Sequence, residues 1–508
     1  MSAKNTRSFV ASFLKSSNDS VILAAIAAGL YPILFYYSNN FQLVNTWQHF
    51  LFFVASFIGL PATLFFIIKK LFSKVFFLQK WQQYVIPFLG IFTFLFLMKI
   101  CLYAGIQKKM ILGIVLIAAI LSFLLWKQYK KIIVLQLLLA IMGLITLIPV
   151  LSKQVFYDSS WTLQPDTIQQ ASFVKKPNVY FIQPDGYVNF SEIDKGYYNI
   201  DNNSFKNYLD SNNFKTYPNF RSNYASTLTS NSATFMMKHH YYGSGSDITE
   251  NTNARDMIIS DNTVLNIFKN NGYKSYFLAE MPYLLLNKPA LGYDVCNFTS
   301  SDVGYIGTGL GTYYDILTPL KSYTKEVIAQ PKFFFIEIFN PGHVHGRESQ
   351  SLGVEGERAL WQQTLAKANK TLVQTLDIIK QNDPDALIVI MADHGGFVGM
   401  EYTLQTYTKT QDRNLIYSMF SSNLSIHWPK GDIPGYDINL KSAVNVFRIL
   451  VSYLTQDTSY LEHLQDDSSY VILNKEAPEG VYKYIDTNGT IVLSLLHNSN
   501  AFKGVAHK

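Results

Sequence analysis

The chain has 508 residues, with 42 Lys and Arg against 36 Asp and Glu, and 48% of its side chains are hydrophobic. These totals average two unlike halves: residues 1–151 carry 13 Lys and Arg against the single acid Asp19, a balance of +12, and the remainder carries 29 against 35, a balance of −6. The positive charge belongs to the apolar half. That excludes a nucleic-acid protein, whose basic footprint would lie on a folded domain, and so much apolar sequence excludes disorder over most of the length.

In chain order, five apolar runs approach the roughly 20 residues needed to cross a bilayer: 21–37, 51–68, 84–106, 110–126 and 132–151. The odd count sends the two ends to opposite sides. Lys4, Arg7 and Lys15 precede the first run, Lys69, Lys70, Lys74 and Lys80 follow the second, and Lys127, Lys130 and Lys131 follow the fourth, all on one side. Only Lys108 and Lys109 mark the other side, so the positive-inside rule puts the N-terminus in the cytoplasm and everything after Leu151 outside. Four further runs behind the first argue against a cleaved signal peptide. Lys99, inside the third run, reads as a lysine near the outer end that reaches for the head groups, with an intramembrane functional charge as the alternative. The expected domains are a membrane domain at 1–151, a linker at 152–176 and an outward-facing domain at 177–508.

Beyond the linker, short apolar runs at 179–182, 276–278, 333–339 and 387–391 alternate with helical stretches at 263–269, 358–380 and 443–454. This is the pattern of βαβ units: an α/β domain with a mostly parallel central sheet, whose chemistry collects at the carboxyl ends of the strands. Near the end, Asn488-Gly489 between 482–485 and 491–495 predicts a hairpin with a type I′ turn. The cysteines, Cys101 and Cys296, supply neither a disulfide framework nor a thiolate metal cluster.

Three strand ends carry ligand chemistry. The first run leads into Asp185-Gly186, the run at 387–391 into Asp393-His394-Gly395-Gly396, and the run at 333–339 into Asn340-Pro341-Gly342-His343-Val344-His345-Gly346. Two Asp and one His suit Zn²⁺ or Mn²⁺ with a position left for a reacting oxygen. Taken singly, Asp185-Gly186 also reads as a turn, and His343 and His345 as loop residues.

Together with residues 223–230, Asn-Tyr-Ala-Ser-Thr-Leu-Thr-Ser, these motifs resemble the sulfatase-like branch of the alkaline phosphatase superfamily. The five-span anchor with an outward domain is similar to lipoteichoic acid synthases and lipid A phosphoethanolamine transferases. The resemblance implies an alkaline-phosphatase-like fold and a metal site of Asp185, Thr227, Asp393 and His394. It further implies Thr227 as nucleophile, with Thr229 and Ser226 as the nearest alternatives. A further histidine would hold phosphate or protonate the leaving oxygen, His345 in the first place and His343 in the second, with Arg347 placed to pair with a phosphate. The activity implied is transfer of a phosphoethanolamine or phosphoglycerol head group from a membrane phospholipid donor to a cell-surface glycan or lipid acceptor. It would run through a phospho-threonine, in the cytoplasmic membrane of a bacterium with the catalytic domain on its outer side. A membrane-anchored hydrolase of phosphoric or sulfuric esters, and an inactive envelope-glycan binding protein, are the alternatives.

The sequence also departs from that pattern. Transferases of this kind generally place Glu at the first ligand position, whereas Asp185-Gly186 is the spelling of superfamily phosphodiesterases. Residues 396–412 contain no His, so one metal ion is expected rather than two. His239 and His240 are further candidates to reach the site, and His427 is a structural candidate. Thr216-Tyr217-Pro218-Asn219-Phe220 lacks the Cys or Ser and the Arg of a formylglycine sulfatase, which disfavours sulfate-ester chemistry. Acceptor choice is expected to lie with the loops at 241–251 and 302–314.

Overall fold

The computed structural model describes residues 12–14, 20–103, 105–242 and 252–498. Lys4, Arg7, Lys15 and Asp19, and nearly all of the loop at 241–251, lie outside the described residues. By its internal contacts the chain divides into two units, the first comprising residues up to Phe156 with Leu286–Lys288 and Tyr305–Gly307, the second the rest.

Among the described residues, four helical stretches are long and apolar enough to cross a membrane: Val21–Val44, Trp47–Lys74, Phe76–Leu102 and Lys108–Thr162, the last running just beyond the first unit. The last of these contains two helices, Lys108–Leu125 and Tyr129–Val155, joined through a 3-10 turn at Trp126–Gln128. Small residues set how closely the helices approach. A Cβ on Gly29 would lie 2.0 Å from the Phe57 carbonyl oxygen, and one on Gly143 3.0 Å from the Leu34 side chain. Ala24, Ala25, Ala27 and Ala28 are fully buried around the same seam. Lys99 is buried and donates to the carbonyl of Gly105, beyond the helix end at Leu102. Its charge is thus carried toward the helix terminus, in the way a long side chain escapes an apolar medium.

The second unit is built on a sheet of seven strands: β1 Val179–Pro184, β2 Phe214–Thr216, β3 Lys274–Ala279, β4 Val295–Cys296, β5 Lys332–Ile338, β6 Leu387–Met391 and β7 Leu424–His427. Their spatial order is β2-β7-β6-β1-β5-β3-β4. Strands β6, β1, β5, β3 and β4 run parallel, while β7 and β2 add an antiparallel edge. The central strands are buried on both faces, which is why they read as unbroken apolar runs. Val179 and Phe181 face one core, where Phe181 packs on Phe235 and Phe447 with ring centroids 5.8 and 4.9 Å apart. Tyr180 and Ile182 face the other, against the long helix Gly353–Asn382.

The residues expected as a linker are bound to this unit rather than loose. The Val174 and Lys175 amides donate to the Leu454 carbonyl, and buried Arg448 donates to Asp166 and Gln164. A second, antiparallel sheet of β8 Ser469–Leu473, β9 Gly480–Ile485 and β10 Ile491–Asn498 follows. Its hairpin corrects the turn expected from Asn488-Gly489: only Gly489 has positive φ (86°). The Asp486 carboxylate accepts from the amides of Asn488 and Thr490, and the Gly489 amide donates to the Asp486 carbonyl. Asp486 thus recruits a longer loop with glycine alone in the left-handed region, and a two-residue turn is lost.

One buried pair couples this frame to the site. Gln183 on β1 and Asn231 on helix Thr227–Met236 exchange two hydrogen bonds, of 2.7 and 2.8 Å, and both side chains are buried. Removing one partner leaves a buried amide unpaired, at a cost of about 1–3 kcal/mol. Asn231→Ala should therefore destabilise by that amount, and Gln183→Leu combined with Asn231→Leu should cost less than the sum of the single changes. A double-mutant cycle of urea unfolding on the detergent-solubilised chain measures the coupling.

Candidate metal centre

Three elements deliver the site, and backbone hydrogen bonds lace them together. The Asp185 amide donates to the Ile338 carbonyl at 2.8 Å, and the Asp185 carbonyl accepts from Gly342 at 2.8 Å, tying the end of β1 to the loop after β5. This closeness demands glycine next door: Gly186 has φ of +66°, and a Cβ there would lie 2.2 Å from the Gly342 carbonyl oxygen. The Gly186 amide then donates to Asp393 Oδ1 at 3.2 Å, which brings in the end of β6.

Asp393 and His394 are almost wholly buried. Asp393 Oδ1 also accepts from the His394 amide at 3.0 Å, which leaves Oδ2 as the free oxygen. The His394 Nδ1–H donates to the Gly395 carbonyl at 2.8 Å, fixing the tautomer and presenting the Nε2 lone pair to the site. Around that Nε2 lie Asp393 Oδ2 at 3.3 Å, Asp185 Oδ1 at 3.4 Å and Thr227 Oγ1 at 3.3 Å.

Thr227 is the first residue of helix Thr227–Met236. Its hydroxyl-bearing neighbours pair with each other: Ser226 Oγ and Thr229 Oγ1 lie 2.7 Å apart, and Thr229 Oγ1 also donates to the Ser226 carbonyl at 3.0 Å. Both alternatives for the nucleophile are therefore committed elsewhere, and the Thr227 hydroxyl is the one brought to the cluster.

Asp185 Oδ1 and Asp393 Oδ2 are buried and accept no hydrogen bond from the described residues. Unpaired carboxylate oxygens in such a place are costly unless a cation joins them. Ligand atoms of Asp185, Asp393 and His394 lie within 4.8 Å of one another, so one ion can meet all three, and a set of hard oxygens with one imidazole is of divalent-metal type. The surroundings are rich in acids whose ionisation burial opposes. Burial and the neighbouring Asp393 push the Asp185 carboxyl above its ordinary range, against the opposing pull of His394. Glu337 is held well above the usual range by burial, Asp185, Asp393 and Glu280, and burial pushes Glu280 up to about 7.

Of the other histidines, His343 is exposed, with its ring centroid 5.8 Å from that of His394 and its Nδ1 on the Val344 carbonyl at 2.7 Å. His345 turns its Nδ1 to Glu357 at 2.7 Å. His239 and His240 do not join the cluster. Both nitrogens of His239 are taken by Tyr224 and the Asp466 carbonyl, and those of His240 by the Tyr242 amide and the Thr229 carbonyl. His427 binds the Ala386 carbonyl at 2.9 Å, and Arg347 is exposed.

Four residues around the site escaped the sequence reading. Glu337 is an acid inside an apolar strand, which was itself a signal, and Glu280 directly follows β3, so the strand-end rule would have found it. Gln183 and Glu357 carry no local signature, because their partners lie 48 and 12 residues away.

No family model matches the chain, and no curated protein matches it in sequence. Among solved structures it is similar to the C-terminal periplasmic domain of EptC from Escherichia coli in complex with Zn, at 11% identity over 63% of this chain and 96% of that one, with a TM-score of 0.41. It is also similar to the lipoteichoic acid synthase LtaP from Listeria monocytogenes, at 14% identity over 64% and 90%, TM-score 0.41. A third is the putative sulfatase yidJ from Bacteroides fragilis, at 13% over 65% and 89%, TM-score 0.41. At such identities and scores no activity carries over, and the chemistry rests on this chain's own residues.

Because the Asp185 pKa is raised on folding, ionising this group opposes folding of the metal-free protein. The penalty grows as pH rises from the ordinary carboxylate range and is complete above the raised pKa. Metal-free Asp185→Asn should therefore melt above metal-free wild type at pH 8, with the gap closing toward pH 4. The same variant should lose the stabilisation that Zn²⁺ or Mn²⁺ gives wild type, as read by thermal unfolding with and without each ion.

Proposed function

We propose that the protein is a metal-dependent transferase that moves a phosphoryl-linked head group, phosphoethanolamine or phosphoglycerol, from a membrane phospholipid to a cell-surface glycan or lipid. The observation that carries this reading is the convergence of the Thr227 hydroxyl, at a helix start, with the unpaired oxygens of Asp185 and Asp393 on His394 Nε2. A purely binding protein has no use for a hydroxyl aimed into such a cluster. We read the fourth stretch as two spans, five in all, which on this reading sends the residues after them to the outer side of a bacterial cytoplasmic membrane, where a lipid donor is at hand.

One Zn²⁺ or Mn²⁺, held by Asp185, Thr227, Asp393 and His394, would lower the pKa of the Thr227 hydroxyl and neutralise charge on the phosphoryl oxygens. The chain's own contribution begins with the helix N-terminus, which favours negative charge on Thr227 Oγ1. The Thr227 hydroxyl gives up its proton to solvent, Oγ1 attacks phosphorus of the lipid phosphodiester, and the bond to the diacylglycerol oxygen breaks. That oxygen takes a proton from a group at the site's edge, for which His343 is the imidazole nearest His394. The product is a phospho-threonine bearing the head group, from which an acceptor hydroxyl takes the phosphoryl group. The Asp185-Gly186 spelling does not favour hydrolysis over transfer, since Gly186 is required by the approach of Gly342.

The test uses the detergent-solubilised chain loaded with Zn²⁺ or Mn²⁺ and given phosphatidylethanolamine and phosphatidylglycerol in turn. Intact mass and peptide mapping should show one head-group adduct on Thr227, and Thr227→Ala should lack it and turn over at background. Undiminished turnover in that variant would contradict the proposal.

A further inference from the structure

The long helix Gly353–Asn382 sends one acid beneath the loop after β5. Glu357 is 1% exposed, and its partners are the His345 and Leu352 amides, at 2.9 and 2.8 Å, and His345 Nδ1 at 2.7 Å. Burial pushes its pKa up, but these donors outweigh burial and hold the carboxyl below its ordinary range. A buried carboxylate with no lysine or arginine partner is an expensive way to fix a loop, because a neutral acceptor would serve the two amides as well. What the charge adds is aimed at the third partner, the imidazole.

The loop places that imidazole beside the site. Val344 is buried, and its amide donates to the Gly396 carbonyl at 3.3 Å, two residues from His394. His343 and His345 flank it and are the more exposed residues. Thr403 stitches the three together, its hydroxyl 3.2 Å from His343 Nδ1, 3.0 Å from the Val344 carbonyl and 3.2 Å from the His345 carbonyl. The two rings differ in backing. His343 Nδ1 donates to a neutral carbonyl and His345 Nδ1 to a carboxylate, so His345 is the ring oriented by a charged partner. Its side chain is 36% exposed and its Nε2 has no hydrogen-bond partner among the described residues.

We propose that Glu357 is a positioning residue that sets His345 as the base for the second half of the reaction, the transfer from phospho-threonine to the acceptor. The inference rests on the transferase reading of the site. As the acceptor oxygen bonds to phosphorus, its proton passes to His345 Nε2. The bond from phosphorus to Thr227 Oγ breaks and its electron pair returns to that oxygen, and the imidazolium then releases its proton to solvent. Two steps thus use two imidazoles, and the one that must gain a proton is the one with the carboxylate behind it.

The test separates the steps in the full-length chain, with adduct on Thr227 followed by quenched-flow mass spectrometry and turnover followed by release of diacylglycerol. In His345→Ala the adduct should form at the wild-type rate and accumulate while turnover falls about a hundredfold, and added imidazole should restore part of the turnover. Glu357→Gln, which keeps shape and removes charge, should show the same split to a smaller degree. Adduct formation slowed as much as turnover in both variants, or turnover unchanged, would overturn the proposal. Absence of any adduct in wild type would instead overturn the transferase reading beneath it.

Discussion

Two carboxylate oxygens, Asp185 Oδ1 and Asp393 Oδ2, are buried without partners a little over 3 Å from one imidazole nitrogen. An uncompensated arrangement of that kind opposes folding and is made good by a cation. Much of the second unit is arranged to keep it. The parallel strands β1 and β6 bring the two acids side by side, and the loop after β5 closes on β1 through Gly342. His394 is held in the one tautomer that points a lone pair inward. Two further acids, Glu280 and Glu337, are packed into the same surroundings, and burial pushes both carboxyls above their ordinary range.

The hydroxyl of Thr227 gains its role from that centre. As the first residue of its helix it sits where negative charge is favoured, and its two hydroxyl-bearing neighbours occupy each other. The Gln183–Asn231 pair fixes the same helix to β1, so Thr227 and Asp185 are held on one frame. Stability and chemistry are joined at this contact, since loosening the helix also misplaces the hydroxyl.

Much of this was legible in the sequence because the relevant physics is local. Strands buried on both faces read as apolar runs, and the strand-end positions of Asp185, Asp393 and His394 follow from where those runs stop. Thr227 was less direct: it needed a family resemblance, because a Ser- and Thr-rich helix start looks like capping until the neighbours' hydrogen bonds are seen. What stayed hidden depends on distant partners. That His345 turns toward Glu357 while His343 lies by His394 is set by the docking of helix Gly353–Asn382, which no window of sequence reveals. The hairpin turn was misread for a local reason, since Asp486 offers its carboxylate to two amides and outcompetes the two-residue form.

The claim on which the account stands is that Asp185, Thr227, Asp393 and His394 hold a single divalent ion. X-ray absorption at the zinc edge of the zinc-loaded, full-length chain tests it most directly, because it reports the ion's ligands without reference to activity. The account predicts one zinc per chain with oxygen and nitrogen neighbours at about 2.0–2.2 Å, a single imidazole and no sulfur. A sulfur neighbour, a site of two or more imidazoles, or a spectrum unchanged by Asp393→Asn would contradict it.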